Sequence, residues 1–189
     1  MARPSARNVI HDAAMKVFTE RGFNASSVQD ITDAAGVPKG SFYNHFKSKE
    51  ALAAEILTAY GEGNTDRGIL TDPNVPALTR LKKHFAVLND YFSSCTDGCL
   101  VGKFMAEVSN DTPEIRARLI EVLKRWGGEL SSAIADGQRD GTIRKDLKAD
   151  DLAAFLIDAY EGAILRTRVE KGPRALKSFV KIVFASIAI

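Results

Sequence analysis

The chain is poor in cysteine, with only Cys95 and Cys99 among 189 residues. A small fold framed by disulfides needs a denser set, so that class is excluded. Long apolar runs are missing too. Nothing approaches the roughly 18 residues of a membrane span, and Met1 to Asp12 lacks the apolar stretch of a secretory signal. A cytoplasmic protein with no membrane partner is the expectation. Strand-like alternation is equally scarce, because apolar residues recur at helical spacing throughout. Neither GxGxxG, GxxxxGKS/T nor HExxH occurs. The three histidines, His11, His45 and His84, stand far apart with no motif around them. No catalytic residue, metal ligand or cofactor is therefore expected.

What is present is an ordinary globular composition, 45% hydrophobic and 26% charged. A chain of this length buries roughly two thirds of its unfolded surface, enough for stability without metal or disulfide. The net charge of +2 is unevenly placed: residues 1–50 hold seven Lys/Arg against five Asp/Glu, and the remaining 139 residues hold 19 of each. That excess is a weak pointer to nucleic acid alone, since arrangement matters more than sums.

Ile10, Ala13, Ala14, Val17 and Phe18 lie on one face of a first helix, ended by Arg21-Gly22-Phe23, where Phe23 can fold back on the last turn. Ser27-Val28-Gln29-Asp30 reads as a capping box with Asp in the usual Glu position. The helix it opens is cut short by Gly36. Pro38 starts another, and Ser48 caps a longer helix from about Lys49 to Tyr60. After the Asp72-Pro73-Asn74-Val75-Pro76 loop, further helices are predicted from Leu78 to about Phe92, Leu100 to Ser109, Pro113 onward, 149–170 and 173–189. The fold class is all-α with about nine helices. A kink or a close helix contact is expected at Gly127-Gly128.

Two short helices around a glycine turn, packed on a first amphipathic helix, form the helix-turn-helix plan. Its second helix, Lys39 to Phe46, can be oriented by geometry. With Phe42 and Phe46 inward as an i, i+4 pair, Gly40 and Asn44 point directly away. Ser41 and Tyr43 flank that outward stripe, and Lys39 and His45 lie nearer the boundary. Amides and hydroxyls there can bond base edges or phosphates, and glycine permits close approach to a groove. Lys39, Lys47 and Lys49 bracket the helix with positive charge.

This stretch resembles the tetracycline-repressor (TetR) family of bacterial transcription regulators. The likeness runs from Arg7 to Leu57, through Gly22-Phe23, Ile31, Ala34-Ala35-Gly36-Val37 and the string Lys39-Gly40-Ser41-Phe42-Tyr43-Asn44-His45-Phe46-Lys47-Ser48-Lys49. Carried over to the matching positions, Ser41 and Asn44 resemble base readers, and Tyr43, His45 and Lys49 resemble phosphate contacts. Ser26 is either a further phosphate contact or only a cap. Thr32 departs from the pattern, standing where alanine is more usual. The resemblance implies a helix-turn-helix domain over 1–48 and a C-terminal effector-binding and dimerisation domain over 49–189, linked by the helix 49–60.

For that larger part the resemblance is weaker, resting on Asp140-Gly141-Thr142-Ile143 with Asp146, Leu152 to Phe155, and Glu161 to Leu165. It implies a four-helix bundle made by the last two helices and their copies in a homodimer. Candidate interface residues are Phe155, Ala159, Gly162, Phe179, Val183, Phe184 and Ile187, of which those on the last helix suit core burial in one protomer as well. Candidate effector-pocket residues are Phe85, Asn89, Tyr91, Phe92, Cys99, Phe104, Trp126, Tyr160 and Arg166, which also suit plain core. Gly98-Cys99-Leu100-Val101-Gly102-Lys103 with Glu107-Val108 is similar to a subgroup whose cysteine reacts with electrophiles or oxidants. A thiol at a helix start has a lowered pKa, and Lys103 could lend charge one turn away; a buried cysteine is equally a small hydrophobe. The expected function is a ligand-responsive repressor, dimeric on a palindromic double-stranded operator and released by a small molecule or electrophile. A DNA-binding regulator controlled by a protein partner is the alternative. Operator, effector and regulated genes stay open, as does activation in place of repression.

Overall fold

A computed structural model describes residues 5–63, 67–94 and 97–189. Ten helices account for them: α1 (Ala6–Arg21), α2 (Val28–Ala35), α3 (Lys39–Tyr43), α4 (Lys49–Gly63), α5 (Gly68–Thr71), α6 (Ala77–Ser94), α7 (Leu100–Glu107), α8 (Pro113–Asp140), α9 (Ala149–Glu170) and α10 (Arg174–Ile187). The all-α expectation holds, with one helix more than the pattern suggests. The addition is α5, a single turn too short to show a period.

The described chain divides into two compact units. The first gathers the residues up to Glu62 with Cys99–Val122, so it takes in α4, α7 and the start of α8 besides α1 to α3. Local signals set the limits of its helices. Ser5 Oγ caps α1 by accepting from Asn8 N–H. At α2 the capping box is complete: Ser27 Oγ accepts from Asp30 N–H, and Asp30 Oδ2 accepts from Ser27 N–H at 2.8 Å. Gly36 closes α2 in the left-handed region at φ 64°. Ser48 Oγ accepts from Ala51 N–H at 2.9 Å at the start of α4. Thr32 is fully buried without penalty, because its hydroxyl donates to the Val28 and Gln29 carbonyls.

The second unit comprises residues 63–98 and 123–189. Its core is aromatic. The Phe85 ring lies 5.1 Å from both Tyr160 and Phe179 and 6.3 Å from Phe184, joining α6, α9 and α10. Buried Arg80 anchors α5, donating to the Leu70 carbonyl at 3.0 Å and to Asp136 on α8 at 2.7 Å. α8 runs unbroken through Gly127-Gly128, and a Cβ at Gly127 would sit 3.8 Å from Ile157 on α9. The expected close contact is there; a helix break is not. An isolated bridge between Ile143 and Ala188 ties the residues after α10 to the loop after α8.

Candidate functional site

In the first unit Phe42 and Phe46 are buried, their rings 5.6 Å apart. Helical geometry ends at Tyr43, three residues sooner than the pattern implies. The Phe46 N–H still reaches the Phe42 carbonyl at 2.9 Å, so the i, i+4 relation survives. The opposite side is open. Lys39, Gly40, Asn44 and His45 are exposed, Tyr43 is 58% exposed, and Ser41 is half-buried. No Cβ placed at Gly40 would meet another atom within 4 Å, so the helix backbone is bare there. An amide, a phenol, an imidazole and an ammonium on one rim suit base edges and phosphates.

Two expected DNA contacts face the other way. Lys49 Nζ donates to the Phe23 carbonyl at 2.7 Å and the Ser26 carbonyl at 2.6 Å, 4.0 Å above the Phe23 ring. Its charge is occupied in holding the turn before α2. Desolvation lowers its pKa, opposed by the nearby carboxylates of Glu107 and Asp30. Ser26 is buried, with its hydroxyl on the Gly22 carbonyl at 2.5 Å. Both side chains bond backbone carbonyls of the turn before α2, within the platform under the rim. Pattern reasoning ranked neither by direction, because a turn residue and the first residue of a helix carry no face of their own.

The expected pocket set divides between the units. Phe85, Phe92, Trp126 and Tyr160 belong to the second, where Phe92 lies 6.3 Å from Tyr160. The Trp126 Nε1–H donates to His84 Nε2 at 3.0 Å. An indole N–H only donates, so His84 is neutral with its proton on Nδ1. Burial, reinforced by the Arg67 charge, pushes the His84 pKa down to about 4. Arg67 sits 5.6 Å over the Trp126 ring and 3.7 Å from Glu129. Asn89 offers a buried Oδ1 that accepts no hydrogen bond. Tyr91 is 47% exposed, with its ring against Phe92.

Three members stand apart from that cluster. Phe104 packs edge-on against Phe18 at 5.7 Å and Phe23 at 6.0 Å, as core of the first unit. Arg166 is exposed and paired with Glu170 at 2.5 Å. Cys99 is buried in the first unit at the N-cap of α7, with the Tyr60 hydroxyl 4.0 Å from its sulfur. Cys95 lies outside the described residues.

The residues expected at the dimer face divide between a buried and an exposed side. Phe179, Val183, Phe184 and Ile187 are buried inside the protomer, with the rings of Phe179 and Phe184 against Phe85. The exposed apolar side keeps the α9 members of that set. It comprises Phe155, Leu165 and Val169 with bare Gly162 on α9, and Ile182 on α10 followed by Ile189. Ala159 is half-buried.

A helix-turn-helix head with an outward polar rim, joined to a helical second unit, defines the class of helix-turn-helix transcription regulators. The model of the bacterial regulatory proteins of the tetR family matches residues 10–56, and that of the tetracyclin repressor-like C-terminal domain matches residues 77–183. The chain is 40% identical over 189 residues to the HTH-type transcriptional repressor DhaR of Mycobacterium sp. (strain GP1), covering 99% of this chain and 94% of that protein. It is 26% identical over 179 residues to the repressor NemR of Escherichia coli (strain K12), with 90% and 89% covered. Among solved structures, the regulatory protein TetR from Rhodobacter sphaeroides superposes with a TM-score of 0.86 at 29% identity, over 97% of this chain and 99% of that one. The protein belongs to the TetR family of DNA-binding transcription regulators. No helix among the described residues is long and apolar enough to cross a membrane.

Proposed function

We propose that the protein is a homodimeric repressor that reads a palindromic operator and leaves it when a small molecule or an electrophile is bound. The observation that carries this reading is the rim of α3 and the turn after it, where Tyr43, Asn44 and His45 stand outward over the buried pair Phe42 and Phe46. Asn44 and Ser41 read base edges, with Lys39, Tyr43 and His45 on phosphates, so that each protomer covers one half-site in the major groove.

The exposed apolar side chains of α9 and α10 support the dimer, because Phe155, Val169, Ile182 and Ile189 are each left more than half exposed in the protomer and a partner would take them out of water. A two-fold pairing of that surface gives two heads, and two heads demand a two-fold operator. The aromatic cluster around Phe85 and Tyr160, with neutral His84 and the unmet acceptor of Asn89, supports an uncharged effector of aromatic or apolar character. Cys99 at the start of α7 supports a covalent route to the same release. Either ligand acts only through different affinity for the two states of the head, a coupling of typically 1–3 kcal/mol.

The test is selection of duplexes from a random double-stranded library by the full chain. Enrichment of an inverted repeat confirms the reading. Enrichment of a single unrepeated site refutes the dimer on DNA, and no enrichment refutes operator binding itself.

A further inference from the structure

The turn that joins α1 to α2 is held by charged side chains from outside the three-helix motif. Lys103 on α7 is buried and donates through Nζ to the Thr19 carbonyl and, at 3.2 Å, to the Glu20 carbonyl. These lie in the last turn of α1, whose carbonyls have no partner within the helix. Glu107, one turn further along α7, accepts from the Phe23 N–H at 2.7 Å and the Asn24 N–H at 2.8 Å. One short helix therefore sets a cation on the negative end of α1 and an anion on the amides just beyond it. Gly22 between them has φ 86°, and a Cβ there would overlap the Glu107 carboxylate. Glycine is required for that approach as well as for the backbone conformation. The capping box of α2 opens at Ser27, directly after the turn so held.

We propose that α7 is a two-point latch on the DNA-binding head: Lys103 and Glu107 fix the α1–α2 turn, and through it set α2 and α3 in the geometry that fits the operator. Lys103 and Glu107 are positioning residues and touch no DNA. Cys99 lies at the N-cap of the same helix, so an event there reaches the head through these two side chains. The proposal rests on the operator reading above and names the contacts by which the head is aligned.

The experiment uses the full chain and the duplex that the wild type enriches from a random library. Glu107→Gln keeps the shape and loses the charge that serves two amides. It is expected to weaken binding to that duplex about tenfold, the usual scale for one charge-assisted hydrogen bond. Binding to unrelated duplex should fall less, the salt slope should stay the same, and exchange at the Phe23 and Asn24 amides should quicken. Simple electrostatics predicts the opposite sign, because removing an anion from a DNA-binding unit tightens its grip on phosphate. A head that is merely less stable would lose both duplexes in proportion to its unfolded fraction. Should Glu107→Gln fail to fold, Lys103→Met keeps the aliphatic stem and carries the same expectation, including the unchanged salt slope. Binding as tight as wild type, or tighter, overturns the latch. A wild-type chain that enriches no duplex refutes the operator reading, and the latch falls with it.

Discussion

Replacing Ile182 by aspartate separates assembly from folding. Ile182 is 62% exposed in the protomer, so a carboxylate there remains in water and should change protomer stability by only about 0.5 kcal/mol. In the proposed bundle the same side chain is covered by the partner. A carboxylate buried without a partner costs at least about 1.5 kcal/mol even when partly hydrated. Two-fold symmetry introduces the change twice, so dimerisation should weaken by about 3 kcal/mol, or roughly 100-fold in Kd. Val183 is the control. It is only 4% exposed and packs inside the protomer, so Val183→Asp should lower the melting temperature of the protomer itself. Sedimentation velocity across a dilution series, with thermal melts of each variant, reads both effects. Wild type and Val183→Ala should sediment as dimers, and Ile182→Asp as a monomer that melts normally. An Ile182→Asp protein with unchanged dimerisation would refute the placement of the interface. A wild type that is monomeric at micromolar concentration would refute the bundle and two-fold operator recognition with it.

Tyr43→Ala should weaken binding to every duplex and reduce the salt slope by about one, whereas Asn44→Ala should relax preference at one base position by about 1–3 kcal/mol, as fluorescence anisotropy on single-base variants would show. His84 links stability to pH. Its folded pKa of about 4 lies below its ordinary 6.5, so the unfolded chain binds more protons between those values. Stability should fall as pH drops from about 6.5 toward 4, by at most about 3 kcal/mol; His84→Gln should flatten that part of the urea-melt profile, and an unchanged profile would remove His84 as its source. Cys99 is buried, so N-ethylmaleimide should modify it only through local opening; its modification should lower operator affinity, and Cys99→Ser should bind DNA without that response. Mass spectrometry showing Cys99 untouched, or modified with affinity intact, would make it core packing.

Reading direction from sequence worked where partners lie within one helical turn. The capping box of Ser27 and Asp30, the start of α4 at Ser48 and the Phe42–Phe46 pair are all three- or four-residue relations, and each stands as the spacing implies. Period alone served less well on α10. More than half of its girth is apolar, and the spacing cannot say which side meets the protomer and which is left open. The strongest stripe, Phe179, Val183 and Ile187, is the inner one because Phe85 and Tyr160 stand ready to receive it. The weaker one, with Ile182, remains outside. In a helix apolar on two sides, the more regular face belongs to the core, where close packing demands a complementary surface along its length.

Lys49 shows the complementary limit. As a cation beside a recognition helix it is read naturally as a phosphate contact, yet the carbonyls of Phe23 and Ser26 claim it. A turn must satisfy its backbone groups before it can present anything, and a buried carbonyl left bare costs more than a surface lysine gains on a screened phosphate. The same demand accounts for Lys103 and Glu107, whose bonds to Thr19 and Phe23 each span 84 residues. No spacing rule reaches that far. The outward rim proposed to read DNA is written locally, in residues 39–45, while the charges that hold its supporting turn come from elsewhere in the chain. If the proposed latch holds the head, the rim of α3 kept intact in sequence should still lose its operator through a change at α7.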